Sequence, residues 1–147
     1  MGTRKEYISS FSMTPNQIFQ LKEYNDCIRR AINENMSESN LASLLGGVSG
    51  ILGFVSLIPG ATAAGVASAF VGLISVMLPN EKNALVQVIA NGTDSLSNIY
   101  YTCASCELVE FRAPMLEFVD DKVCVVQGNC AVDRFKLNGV WYGPTGE

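Results

Sequence analysis

Apolar positions divide this chain into three stretches with different periods. In the first, Ile18, Leu21, Tyr24 (or Asn25), Ile28 and Ile32 recur at steps of three and four, which predicts an amphipathic helix. Thr14 stands before Pro15 as a ready N-cap, and the opposite face carries Lys22, Glu23, Asp26, Arg29 and Arg30. Residues 1–38 as a whole read as helical. The second stretch has no period, because residues 39–80 include no charged side chain at all. Pro59-Gly60 splits it into arms 41–58 and 61–78, and Pro79-Asn80 ends the second. Each arm is roughly 18 residues, or about 27 Å as a helix, close to the ~30 Å apolar thickness of a bilayer.

Beyond the arms, Leu85, Val88 and Ile89 give a short helix over 81–90 that ends at Asn91-Gly92. From Ile99 the pattern turns to alternation. Strands are expected over 107–112 and 115–119, separated by Ala113-Pro114. Strands over 123–126 and 131–137 flank Gln127-Gly128-Asn129, and 140–142 follows Asn138-Gly139, a strong hairpin signal. The expected architecture is α+β: an amphipathic helix, an apolar helical hairpin, and a small antiparallel β unit. Residues 1–98 form the helical region and 99–147 the cysteine-containing β unit.

The hairpin is rich in small residues at four-residue steps. Ser43 and Gly47, Gly46 and Gly50, Ser49 and Gly53 repeat in the first arm. Ala61, Gly65 and Ala69, then Ala64, Ser68 and Gly72, repeat in the second. Such steps put small residues on one helix face, where another backbone can approach. Each interior helical glycine costs about 1 kcal/mol relative to alanine, so these helices need close packing to hold them. Ser43, Gly46, Gly47, Gly50, Gly53, Gly65, Ala69 and Gly72 are therefore the candidate helix-packing positions, with Pro59 and Gly60 at the tip. Alternatively, the two arms form the core hairpin of a soluble bundle.

The segments Gly53-Phe54-Val55-Ser56-Leu57-Ile58-Pro59-Gly60-Ala61, Phe70-Val71-Gly72-Leu73-Ile74 and Leu78-Pro79-Asn80 resemble the start of the pore-forming helical domain of Cry-type insecticidal toxins. Residues 41–90 are also similar in style to the apolar hairpins of pore-forming colicins and glycine-zipper toxins. Cry-type toxins are several times longer, with a multi-helix bundle and two β domains, whereas this chain has one hairpin and a cysteine-bearing tail. The resemblance implies membrane permeabilisation as the activity class.

Composition narrows the chemistry. The chain has 147 residues and a net charge of −4. Residues 1–38 are charge-balanced, so the acidic surplus lies in 81–147, which disfavours a nucleic-acid partner. There is no histidine, so neither a Ser–His nor a Cys–His nucleophile pair can form within the chain. No catalytic residue, metal or cofactor is expected. Cys103 and Cys106 form C-x-x-C, and Cys124 and Cys130 bracket an expected turn. Structural disulfides among these four are the leading expectation, with reduced packing thiols, a four-thiolate zinc site and redox chemistry as alternatives.

The first twenty residues hold no apolar core of signal-peptide type. A membrane-associated or secreted location is expected. The expected partners are a lipid bilayer, further copies in a homo-oligomer, and a protein receptor met by the β unit. Two other classes stay open: a viral or phage assembly subunit with the hairpin buried between protomers, and a soluble binding module.

Overall fold

The computed structural model describes residues 3–57 and 60–143. Pro59 therefore lies outside the described residues. The fold is α+β, with five α-helices and an antiparallel five-stranded sheet.

The first element is a strand, β1 (Arg4–Met13), where a helical start was expected. Its burial alternates from Tyr7 to Met13, but Ile8 faces outward and Ser9 inward, so the apolar residues do not follow the strand period. Thr14 then caps α1 (Pro15–Asn33) as the sequence predicts. The Gln17 amide donates to the Thr14 hydroxyl at 3.2 Å, and the Thr14 amide donates to the Gln17 side chain at 2.9 Å. Ile18, Leu21, Tyr24, Asn25, Ile28 and Ile32 are buried along one face.

The apolar run does not form two straight arms. α2 (Glu38–Gly46) stops at Gly47. A 3-10 turn at Ser49–Ile51 follows, then the single turn α3 (Leu52–Val55). The pieces on either side of the break are bent by 86°. Gly46, Gly47, Gly50 and Gly53 explain the break, since each weakens helix continuation. α4 (Ala63–Ser75) is regular, capped by the Thr62 hydroxyl, and packs against α2.

α5 (Pro79–Thr102) runs through the expected stop at Asn91-Gly92. Leu85, Ile89, Gly92, Leu96 and Ile99 make one continuous buried stripe. Gly92 is part of the contact rather than an end signal. A methyl there would overlap the Val126 carbonyl. Burial of that stripe carries the helix past the glycine, and past residue 98, where the helical region was expected to end.

β2 (Leu108–Phe118) is one strand through Pro114. β1 pairs with it along its whole length, Arg4 opposite Phe118 and Met13 opposite Val109. Along its other edge run β3 (Val123–Val126) and β4 (Ala131–Leu137), end to end. β3 and β4 are thus successive parts of one line, not the two arms of a hairpin about Gln127-Gly128-Asn129. The Pro114 carbonyl accepts from the Gln127 amide at 2.8 Å. The imide nitrogen of Pro114 points the same way, into the gap between β3 and β4, where no ladder donor is needed. β5 (Val140–Tyr142) folds back on β4 through Asn138 and Gly139, both at positive φ, as the dipeptide predicts.

The N-terminal strand and the C-terminal strands share one sheet, and one hydrophobic core joins α1, α2, α4, α5 and β1–β3.

Candidate functional site

The uncharged run divides into two faces. Most of its bulky residues are buried: Leu41, Leu45, Val48, Ile51, Leu52 and Val55, then Val66, Phe70, Leu73, Ile74 and Met77. The Phe70 ring stands edge-on to Tyr24 and to Phe118, tying α4 to α1 and to the sheet. The other face is exposed and made of small residues: Ser43, Gly46, Gly47, Ser49, Gly50, Gly53, Ala64, Ser68, Gly72 and Ser75.

Most of the candidate glycines leave open space beside them in this fold. A Cβ added at Gly46, Gly53 or Gly72 meets no neighbouring atom within 4 Å. At Gly47 and Gly65 it meets only the Leu44 carbonyl at 3.4 Å and the Thr62 hydroxyl at 3.2 Å, both from the preceding turn. Gly50 alone among these approaches another element, with the Gln20 side chain of α1 at 3.2 Å. Gly60 adopts φ +63°, so the turn itself requires it. Ala69 is half-buried on α4.

No single helix among the described residues is long and apolar enough to cross a membrane. α2 together with the 3-10 turn and α3 has the length and composition, but only if the 86° bend were opened.

Two anchors hold the run to the rest of the fold. Ser56 forms a β-bridge with Val123, and the Leu57 amide donates to the Lys122 carbonyl at 2.8 Å. Past them, Phe54 is 43% exposed and Leu57 56% exposed, with Gly53 and Gly60 beside them. At the far end of α4, Val76 and Leu78 are also exposed.

β3 is buried on both faces, and its outer edge is satisfied by side chains. Asn25, fully buried, donates to the Val126 carbonyl at 2.9 Å and to the Ile89 carbonyl at 3.2 Å, and accepts from the Val126 amide at 3.0 Å. The Tyr24 hydroxyl donates to the Cys124 carbonyl at 2.6 Å. The sequence flags Asn25 only as a substitute for Tyr24 in the stripe. A polar residue at an apolar position was the available signal of this contact.

The disulfides expected among Cys103, Cys106, Cys124 and Cys130 are not formed, and all five cysteines are free thiols. Because β3 and β4 run end to end, Cys124 and Cys130 do not face each other across a hairpin. Cys124 donates to the Val55 carbonyl at 3.3 Å, and burial pushes its thiol up to about 12. Burial likewise pushes Cys103 and Cys27 up to about 11, Cys103 with a further contribution from Cys106 and Cys27 from Glu23. Burial also raises Cys130, whose backbone amide donates to the Ser95 hydroxyl. Thiols held protonated in this way are poor nucleophiles at neutral pH.

Glu117 is buried on the sheet beside Tyr7, whose hydroxyl is raised by burial, by Cys124 and by its hydrogen bond to Glu117. Among the described residues no three His, Cys, Asp or Glu side chains converge as a metal site. A charged hollow of about 280 Å³ lies between α1 and α2, and its rim charges are paired. Asp26 binds Arg29 at 2.7 Å and Arg30 binds Glu34 at 3.2 Å.

No protein-family model, curated protein or solved structure matches the chain.

Proposed function

We propose that this chain permeabilises membranes, and that the fold described above is its storage form. In that form the bulky side of the uncharged run is folded inward. On a bilayer the run leaves the sheet, opens at its bend, and presents its bulky residues to lipid. The small-residue faces then pack helix on helix, within one chain and between copies.

One observation carries this reading. A core hairpin needs apolar residues only on its inward side, and its solvent side is normally charged. Here the outward positions of residues 39–80 are uncharged as well. The glycines strengthen the point. A Cβ added at Gly46 or Gly72 would meet no neighbouring atom within 4 Å, both residues have ordinary backbone angles, and Gly72, inside α4, costs the helix about 1 kcal/mol relative to alanine. A second packing arrangement, in lipid, gives them a use.

The test separates stability from activity. Gly46→Ala and Gly72→Ala, alone and combined, should raise the urea midpoint, with a gain in unfolding free energy of up to about 1 kcal/mol per site. The same variants should release less dye from liposomes than the parent chain. Stabilised variants with undiminished release would remove the glycines from the mechanism.

A specific observation also favours assembly as a second reading. Among the described residues no strand pairs with the outer edge of β1, and residues 7–13 of that edge carry neither charge nor proline. Natural sheets usually protect such an edge. An oligomer of fixed stoichiometry, seen by light scattering without detergent or lipid, would bring this reading forward.

A further inference from the structure

We infer that β1 is an interface between two copies of the folded chain, pairing antiparallel with β1 of the second copy about Ser9, so that two five-stranded sheets become one. The inference is independent of permeabilisation; it rests on the assembly reading and gives it a partner, a direction and a register.

The outward groups of β1 follow from its ladder. The Thr3 carbonyl accepts from the Val119 amide at 3.0 Å, so residue 3 turns its backbone toward β2. The Pro114 carbonyl is turned away from β1, to the Gln127 amide, and Pro114 stands opposite Ile8. In an antiparallel ladder such a pair exchanges no hydrogen bond, and Ile8 directs its own N–H and C=O to the other side. By alternation Glu6, Ser10 and Ser12 do the same. Among the described residues no hydrogen bond reaches the amides and carbonyls of these four, and all four are exposed, Ile8 to 67%. A row of outward donors and acceptors at strand spacing is a template for another strand.

The placement of charge selects the direction. Arg4, Lys5 and Glu6 lie together at one end of β1, and each is engaged within the chain: Arg4 by Glu81 and the Phe118 ring, Lys5 by the Tyr7 ring, and Glu6 across β2 by Gln127. A parallel copy in register would set all three beside their own counterparts, which is destabilising. Turned antiparallel about Ser9, they face Thr14, Met13 and Ser12 of the second copy, and no like charges meet.

The register follows from the outward groups, which must face outward groups, so even-numbered residues oppose even-numbered ones. An axis through Ser9 uses all four, Glu6 with Ser12 and Ile8 with Ser10, each twice. It also brings Tyr7 opposite Phe11, a favourable aromatic pair. An axis through Ser10 would reach Thr14, whose amide is already taken by Gln17, and an axis through Ile8 would lose the aromatic pair. At the sheet's other edge β5 has 3 residues against the 10 of β1, so head-to-tail pairing would leave most of β1 open.

The test is light scattering of the purified full chain over a range of concentrations, without lipid. The parent should be a dimer that dissociates on dilution. Ser10→Pro removes an outward amide from each copy and no bond to β2, and should raise the dimer dissociation constant at least about tenfold. Ile8→Lys should do the same with a native near-ultraviolet dichroism spectrum, because its side chain is exposed. Oxidation with copper–phenanthroline in air reads the register. The Cα atoms of residue 9 in the two copies would lie about 4.5 Å apart, within the ~4.4–6.8 Å that a disulfide spans. Ser9→Cys should therefore cross-link two chains, whereas Ser10→Cys and the parent should not.

Folded variants that dimerise like the parent overturn the inference, while assembly then stands through another surface. Cross-linking through Ser10→Cys rather than Ser9→Cys overturns the pairing about Ser9. A parent that stays monomeric at every concentration removes the inference and the assembly reading together, whatever the chain does to liposomes.

Discussion

Single residues in this fold show which constraints belong to folding. Gly92 packs directly against the Val126 carbonyl. Gly92→Ala should cost about 2–4 kcal/mol, measured by urea unfolding, because a backbone group blocks the added methyl. Gly72, twenty positions earlier, should show the opposite sign, as argued above. Asn25→Ala should cost about 2–4 kcal/mol by leaving the buried Val126 amide and carbonyl unpaired. The buried thiols make the fold sensitive to alkali. Cys124 is raised from 9.0 to about 12, and Cys27 and Cys103 to about 11. The native state therefore holds protons that the unfolded chain gives up above pH 9. Stability should be level below pH 9 and fall between pH 9 and 12. Urea midpoints at pH 8 and pH 10.5 check this, and Cys124→Ala should flatten the decline. The sequence could not distinguish Gly92 from Gly72. Both are small residues in an apolar context, and only the tertiary approach of β3 separates them.

Elements were legible where a local signal set them. The Thr14 cap, the stripe of α1 and the Asn138-Gly139 turn all act over a few residues, and all appear as read. β1 was missed because Ile8 faces outward and Ser9 inward, which hides its alternation from the sequence, and its partner is β2, about a hundred positions away. α5 was cut short at Gly92, since a glycine that stops an isolated helix is tolerated once its neighbours are buried. The first apolar arm was read as one helix, but its four glycines and its docking on α1 and β3 favour two short helices at 86°. The disulfide expectation failed for a topological reason: β3 and β4 continue one another along β2, so no hairpin holds Cys124 against Cys130. The bend is the element on which the functional account depends. Replacing Gly46 and Gly47 together with alanine should favour a longer α2, read as greater helical ellipticity.

At the scale of the whole molecule, one sheet and five helices surround a core to which the uncharged run contributes much of the bulk. The sequence posed the choice between a lipid-facing and a buried hairpin; the fold buries one side and leaves the other exposed and uncharged. We read that asymmetry as a protein able to exist in two packings, with residues 39–80 as the exchanged part. The most direct test is release of an encapsulated dye from liposomes by the purified, folded chain, with flotation of the same samples, across pH and lipid composition. The account predicts release together with flotation, and weaker release by Gly72→Ala at undiminished flotation. A folded chain that neither floats nor releases dye under any of these conditions would contradict it.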